Sequence, residues 1–237
     1  MANDPQTPHR VALYYAPPPQ SAWWRAGSEW IGRCALTGLP LTQPIIDGMA
    51  PAQFAALTAD PRRYGWHATL KAPFRLAPGQ TLDSLRAGVR QLFEGREPFD
   101  LAPLQVSRLG HFLALRPLHA QPELDTLAAD CVRQIHPLAM PLSADELARR
   151  RRTPLTPRQD ALLQTWGYPY VLDQYRFHLS LTGPLQALPA DTLAALLESA
   201  ADRFHDLPPC RIDRISVFVE PTPGADFCLL EQIGFQP

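Results

Sequence analysis

The sequence is poor in cysteine, and its four cysteines lie far apart. They form no CxxC pair, and no group of histidine and cysteine residues has the spacing of a zinc site. The pattern therefore excludes the common zinc modules, and we expect reduced thiols and neither a metal nor another cofactor. The four residues are Cys34, Cys131, Cys210 and Cys228.

Net charge and long apolar runs are also lacking. The 237 residues include 22 basic and 23 acidic ones, a net charge of −1, so overall electrostatics do not favour a large nucleic acid or an anionic membrane as partner. No stretch approaches the roughly 18 apolar residues of a membrane span. The first residues, MANDPQTPHR, do not have the apolar core of a secretion signal. We expect a cytoplasmic monomer that acts on a small molecule.

Two segments of the chain resemble each other. Residues 66–74 read WHATLKAPF and residues 177–185 read FHLSLTGPL, at an offset of 111 positions. Seven of the first twenty aligned positions are identical, among them His67 and His178, and the register continues to 104–106 against 215–217. A constant offset over this length indicates an internal duplication.

Each copy has the same predicted order of elements. A short strand carries the H-x-T or H-x-S segment, a helix follows with Thr81 or Thr192 at its N-cap or in its first turn, and two strands joined by a turn complete the unit. We place the units at about 64–118 and 175–233 of one domain, with a helical linker and insertion at about 121–170. This order predicts an α+β fold of antiparallel sheets with helices packed outside.

The residues before the first unit predict a strand and a helix. The alternating segment 10–16 is a strand, and Ser21 then caps a helix that we expect Gly38 to close. This helix carries Trp23, Trp24 and Trp30. We assign the adjacent Trp23 and Trp24 to the core, with a platform for a ligand as the alternative.

Alternation along a strand places residues two apart on one face. In each copy a histidine therefore shares a face with a hydroxyl group and a cation, and two such faces can meet across one cleft if the copies pack about a pseudo-twofold axis. The first set is His67, Thr69 and Lys71, and the second is His178, Ser180, Thr182 and Arg176.

These groups suit a phosphodiester. An imidazole with a pKa near about 6.5 can serve as a base in one step and an acid in the next, so one histidine activates water and the other protonates the leaving oxygen. The hydroxyls of Thr69 and Ser180 can donate to the non-bridging oxygens, and Lys71 or Arg176 can offset the charge that develops there. Lys71 is the single lysine of the chain.

The paired H-x-[S/T]-Φ motifs, where Φ is apolar, resemble the two-histidine (2H) phosphoesterase superfamily. More narrowly, RYGWHATLKAPF and FHLSLTGPL, with LYYAPP and the EWIGR…TGL segment, resemble its DUF1045 branch, which is associated with phosphonate metabolism. The resemblance implies a bilobed fold with His67, Thr69, His178 and Ser180 in a central cleft. It also implies hydrolysis of a cyclic phosphodiester, such as a 2′,3′-cyclic or 1″,2″-cyclic phosphate. Ser180 stands where many relatives have threonine and keeps the hydroxyl donor.

Several residues near the motifs have two interpretations. Tyr64, Trp66 and Tyr168 are candidates to stack on a substrate ring or to pack in the core. The run Arg149–Arg152 is predicted to be a solvated helix face, with a grip on a second phosphate as the alternative. Arg62 and Arg63 are further candidates for phosphate contact. The remaining histidines are expected to be structural: His9, His111, His119, His136 and His205.

Three other functions remain open from the sequence. An RNA-end 2′,3′-cyclic phosphodiesterase or 2′–5′ ligase would use the same groups, but the near-neutral chain argues against a large RNA. A non-catalytic module would bind a nucleotide or sugar phosphate without turnover. A metal-dependent hydrolase would lose its activity to a chelator.

Overall fold

The computed structural model describes residues 8–185 and 188–235. Positions 1–7, 186–187 and 236–237 of the predicted domain lie outside the described residues, as does most of the N-terminal segment inspected for a secretion signal. The strands are β1 (Arg10–Tyr15), β2 (Ala68–Phe74), β3 (Phe99–Asp100), β4 (Leu104–Leu109), β5 (Phe112–Pro117), β6 (Leu179–Ser180), β7 (Arg211–Ile212), β8 (Arg214–Glu220) and β9 (Cys228–Gly234). The α-helices are α1 (Ala22–Ile31), α2 (Pro51–Leu57), α3 (Ala59–Tyr64), α4 (Leu82–Gln91), α5 (Pro122–Ile135), α6 (Ala144–Arg150), α7 (Pro157–Trp166) and α8 (Ala190–His205).

The strands form three antiparallel sheets. The larger two have the orders β2-β1-β8-β9 and β4-β5-β6, and β3 pairs with β7 in a third. Together with the helices, this arrangement confirms the predicted α+β class. No helix in the described ranges is long and apolar enough to cross a membrane.

Both copies of the duplicated sequence contain the predicted strand, helix and two strands. The first copy is β2-α4-β4-β5 and the second is β6-α8-β8-β9, with α5, α6 and α7 in the predicted helical linker and insertion. Thr81 is the N-cap of α4 and accepts from the backbone N–H of Ser84, whereas Thr192 lies in the first turn of α8. The domain bounds themselves stay a prediction.

The two copies exchange their first strands. β2, from the first copy, joins through β1 to the β8–β9 hairpin of the second copy, whereas β6, from the second copy, pairs with the β4–β5 hairpin of the first. Each larger sheet thus combines strands of both copies, and each motif strand lies at the edge of its sheet. As a consequence, neither copy can build its half of the cleft alone.

Helix α1 carries much of the core that supports the second motif. Trp23 and Trp24 are buried, which confirms their assignment to the core, and Trp30 is buried as well. The indole N–H of Trp30 donates to the carbonyl of Leu181 at 2.8 Å, which ties α1 to the residue after β6. The predicted end of this helix at Gly38 is wrong. Gly32, with a φ of 82°, turns left-handed and ends the helix six residues earlier because its N–H caps two carbonyls of the last turn.

Candidate active site

His67 lies just before β2, and its imidazole is held by the backbone. Gly65, the C-cap of α3, has a φ of 79° and presents its carbonyl to the Nδ1 of His67 at 2.8 Å. A carbonyl oxygen only accepts hydrogen bonds, so the Nδ1 carries the proton and the Nε2 of the neutral ring is a hydrogen-bond acceptor. The hydroxyl of Thr69 lies 3.3 Å from this Nε2.

His178 repeats this arrangement in the second copy. It lies just before β6, and its Nδ1 is 2.7 Å from the carbonyl of Arg176, again two residues earlier. Both motif histidines are therefore fixed as the same tautomer by equivalent local contacts. Ser180 follows within β6, where it pairs with Ala114 of β5.

Aromatic side chains orient both imidazoles. The ring of Tyr14 stacks on His67 with centroids 3.7 Å apart and an interplanar angle of 22°, and Tyr14 is the residue of β1 that pairs with Thr69. Phe112 of β5 packs against His178 with centroids 5.5 Å apart. Sequence reasoning missed both residues, since each belongs to a neighbouring strand whose pairing the motifs do not encode.

Two adjoining cavities form one cleft between the motifs. One, of about 440 Å³, is lined by His67, Thr69 and Ser180, and the other, of about 480 Å³, by Thr69 and His178. Four further residues line both cavities: Ala72, His111, Phe112 and Tyr168. The four predicted motif residues therefore line two adjoining cavities, and Thr69 borders both.

The surroundings of both imidazoles favour the neutral ring. Burial lowers the pKa of His67 to about 4, against the opposing effect of its hydrogen bond to Gly65, and the nearby His178 lowers it further. Burial also lowers the pKa of His178, helped by the positive charge of Arg116. Both shifts favour the uncharged form of the motif histidines near neutral pH.

Lys71 does not share the face of His67 and Thr69. The register of β1 with β2 shifts, so that Leu13 is opposite Lys71 while the next residue, Tyr14, is opposite Thr69. Paired residues point to the same side of a sheet, so this irregularity turns Lys71 to the other side, where it lines an adjoining cavity of about 250 Å³. Its side chain is 4% exposed, and burial lowers its pKa to about 8. The predicted common face was wrong for this residue.

Trp66 belongs to the core. It is 1% exposed and stacks on Phe204 with centroids 5.5 Å apart, away from the cleft. A Cβ on Gly27 would lie 2.0 Å from its ring, so the indole fills the space against α1. The candidate role in substrate stacking is therefore wrong and the core alternative is confirmed. Adjacent residues of an extended chain point to opposite faces, so Trp66 points away from the face of His67.

The other predicted binding residues line the cleft. Tyr64 and Tyr168 border the cavity that contains His67, and burial raises the pKa of Tyr168 to about 12, so its hydroxyl remains a donor. Thr182 borders it too, although its hydroxyl already accepts from the N–H of Leu113 at 3.0 Å. Arg176 lines the cavity of His178 while its Nη1 donates to backbone carbonyls at 2.6 and 3.2 Å.

The cleft also contains His111 and Arg10, which sequence reasoning had not placed there, and Arg150 of the run for which phosphate contact was the alternative prediction. His111, expected to be structural, lies at the turn between β4 and β5 and lines both cavities. Arg10 and Arg150 line the cavity of His67. By contrast, Arg62 donates to backbone carbonyls and to Thr58, and Arg63 pairs with the buried Glu220, so neither of these two lines that cavity.

In the described ranges no three His, Cys, Asp or Glu side chains cluster as metal ligands would.

Comparison with known proteins identifies related sequences. The family model described as "Protein of unknown function (DUF1045)" matches residues 69–228. Two proteins named ribose 1,5-bisphosphate phosphokinase PhnN are similar to this chain. The one from Janthinobacterium sp. (strain Marseille) is 40% identical over 95% of the chain, and that from Laribacter hongkongensis (strain HLHK9) is 37% identical over 93%. These alignments cover 51% and 50% of the two relatives, so the chain spans about half their length.

Among solved structures, Escherichia coli LigT complexed with ATP aligns with 97% of this chain and 99% of its own. The TM-score is 0.39 and the identity 13%. Such a similarity is too low to support a conclusion about fold or activity.

Proposed function

The chain belongs to the DUF1045 family, and we propose that it hydrolyses a small cyclic phosphodiester with its two histidine motifs, as 2H phosphoesterases do. One observation carries the proposal. Both imidazoles donate their Nδ1–H to the carbonyl two residues earlier, at 2.8 Å for His67 and 2.7 Å for His178. This leaves two Nε2 atoms for proton transfer in one cleft.

The proposed reaction uses one proton shared between the two histidines. The neutral imidazole takes a proton from water, the water oxygen bonds to phosphorus, and the bond from phosphorus to one ring oxygen breaks. The second, protonated imidazole delivers its proton to that leaving oxygen, so the products are a phosphomonoester and a free hydroxyl. Thr69 and Ser180 donate to the non-bridging oxygens, and each acid or base contributes roughly 10²–10⁴ in rate.

The two histidines differ in their aromatic neighbours. Burial lowers the pKa of both, to about 4 at His67. Tyr14 stacks on His67 with centroids 3.7 Å apart, whereas the centroids of Phe112 and His178 are 5.5 Å apart. The stacking fixes the ring of His67, which suits it to direct a lone pair at water, so we assign His67 as the general base and His178 as the general acid.

The kinase activity in the relatives' name does not fit this chain. A phosphate-binding P-loop reads GxxxxGK[ST], but the single lysine, Lys71, follows a leucine, so the sequence contains no such motif. We propose that the named kinase activity belongs to the half of these relatives that the chain does not cover.

The name of the relatives also favours a ribose compound over a nucleotide. Opening of a ribose 1,2-cyclic phosphate at the 2-oxygen leaves a phosphate on C1, as in the ribose 1,5-bisphosphate for which the relatives are named. Two activities joined in one polypeptide commonly act on related compounds. We therefore propose a ribose cyclic phosphate as the substrate class.

A turnover screen tests the proposed function. Ribose 1,2-cyclic phosphate, a nucleoside 2′,3′-cyclic phosphate and a 2′–5′-linked dinucleotide are incubated in EDTA with the wild-type protein or with the double variant His67→Ala/His178→Ala, and the products are identified by ³¹P NMR. His119→Ala, an exposed histidine outside the cleft cavities, is the matched control.

The proposal expects ring opening by the wild type and the control and none by the double variant. Activity abolished by EDTA would indicate a metal-dependent hydrolase, and cleavage of the dinucleotide alone would favour an RNA-end enzyme. Tight binding of a panel member without turnover would indicate a binding module. Each of these results contradicts the proposal.

A further inference from the structure

The four consecutive arginines at the end of α6 do not act as one surface. Arg149, Arg151 and Arg152 are exposed, and Arg151 forms a bidentate ion pair with Asp160 at 2.6 and 3.0 Å. Only Arg150 turns inward and is partly buried. The sequence-based prediction of a solvated helix face thus holds for three of the four.

Arg150 lines the cavity that also contains His67 and Ser180. Within the described residues its guanidinium forms no ion pair or hydrogen bond. Asp60 is the one acidic residue on the described wall of this cavity, and it does not pair with Arg150. Burial lowers the pKa of Arg150, although its ordinary value is so high that the charge persists at neutral pH.

A second guanidinium lies close enough to Arg150 to repel it. Arg10 also lines the cavity, and its positive charge contributes to the lowered pKa of Arg150. The Nε and Nη2 of Arg10 are bonded to Glu220, a fully buried carboxylate that Arg63 shares. Arg10 is thus fixed in place by its ion pair. Arg150 forms no ion pair among the described residues, although the charge of Glu146, four residues earlier on α6, acts to raise its pKa. A partly desolvated guanidinium without an ion pair is costly, and an anion bound beside it would reduce that cost.

We propose that Arg150 and Arg10 bind a phosphomonoester that the substrate carries in addition to its cyclic diester. This inference rests on the proposed function. The cyclic diester would bind at the two histidines, and the second phosphate would bind at the two arginines that line the cavity of His67. The planar fork of arginine matches the oxygens of a phosphate dianion, and the donors of Tyr64 and Tyr168 border the same space. The substrate is then a bisphosphorylated sugar of which one phosphate is cyclic.

A comparison of two substrates tests this subsite. The kcat/KM is measured for ribose 1,2-cyclic phosphate with and without a 5-phosphate, in the wild type, Arg150→Gln and Arg150→Lys. Arg149→Gln and Arg152→Gln remove a positive charge from the exposed part of the same run and are the matched controls.

The wild type should prefer the 5-phosphorylated compound. This preference should fall by roughly 10–100-fold in Arg150→Gln, the loss expected for a charge-assisted hydrogen bond. It should be partly kept in Arg150→Lys and retained in both controls. An unchanged preference in Arg150→Gln, or an equal loss in the two control variants, would overturn the subsite while leaving the proposed function intact.

Calorimetry with ribose 5-phosphate separates the two proposals. If neither cyclic compound turns over but ribose 5-phosphate binds, and Arg150→Gln weakens this binding by a similar factor, the proposed function fails and the subsite stands. If ribose 5-phosphate does not bind the wild type and no turnover occurs, both are wrong. A melting curve for each variant establishes that it is folded.

Discussion

The pH optimum of kcat/KM should lie at a lower pH than the optimum of kcat. The ratio kcat/KM reports the free protein, in which burial lowers the pKa of His67 to about 4 and also lowers that of His178. The reactive form has one proton on the pair, so its population should be greatest at a pH below the usual pKa of histidine, about 6.5. Towards neutral pH both histidines lose their protons, and kcat/KM should fall about tenfold per pH unit.

Substrate binding should reverse this depression. A phosphodiester anion about 4 Å from an imidazolium interacts by about 4 kcal/mol at an effective dielectric constant of 20, which corresponds to a rise of about 3 pKa units before solvent screening. With screening we expect the limbs of the kcat profile to lie about 1–3 pH units above those of kcat/KM. Binding should accordingly take up a proton near pH 7.

The assay is a pair of rate profiles from pH 4 to 9, at saturating and at limiting substrate. Proton uptake is measured separately from the dependence of the binding enthalpy on the ionisation enthalpy of the buffer. Coincident profiles, or a kcat/KM optimum above pH 7, would refute the assignment of two partly buried, neutral imidazoles in the free protein.

Further predictions follow from individual side chains. On a nitrophenyl phosphodiester, whose leaving group needs no proton, His178→Ala should lose less than about tenfold in rate while His67→Ala keeps its loss of roughly 10²–10⁴; equal losses would contradict their roles. Ser180→Ala should lower kcat by less than either histidine variant, and Ser180→Thr should restore it in the same assay. Lys71→Met should raise the free energy of unfolding at pH 7 by about 1–4 kcal/mol, because it removes a buried ammonium that forms no ion pair with the residues the structure describes. Burial lowers the pKa of Lys71 in the folded protein to about 8, below its usual 10.5, so the gain in stability should be complete below pH 8 and vanish above pH 10.5. Chemical denaturation at several pH values measures this gain, and a loss of stability at pH 7 would refute the prediction. Gly65→Ala should lower both stability and kcat, because the φ of Gly65 is 79° and the added Cβ would lie 2.6 Å from the Cβ of Ala35. Unchanged melting together with unchanged kcat would contradict the role of the Gly65 carbonyl in holding His67.

Local patterns in the sequence were sufficient for the elements and the central residues. The duplication aligned His67 with His178, and the order of strands and helices in each copy could be predicted because hydrophobic period and capping residues are local signals. The placement of Ser21 and Thr81 at N-caps follows from the same local chemistry.

Features that depend on pairing between distant strands could not be predicted. The exchange of β2 and β6 between the copies, and the register shift that turns Lys71 away from Thr69, are properties of neighbours that the motif itself does not contain. The stacking of Tyr14 on His67 has the same origin, since β1 precedes the motif by more than fifty residues. Four adjacent arginines likewise look equivalent in sequence, and only packing distinguishes Arg150.

The most direct test of the central claim is hydrolysis of a ribose cyclic phosphate in H₂¹⁸O, followed by ³¹P NMR. If His67 and His178 activate water and protonate the leaving oxygen, the wild-type product should be a phosphomonoester with one ¹⁸O bonded to phosphorus, seen as an isotope shift of its resonance. The double variant His67→Ala/His178→Ala should give no product above the uncatalysed background. A product without ¹⁸O, or equal turnover by the double variant, would contradict the account.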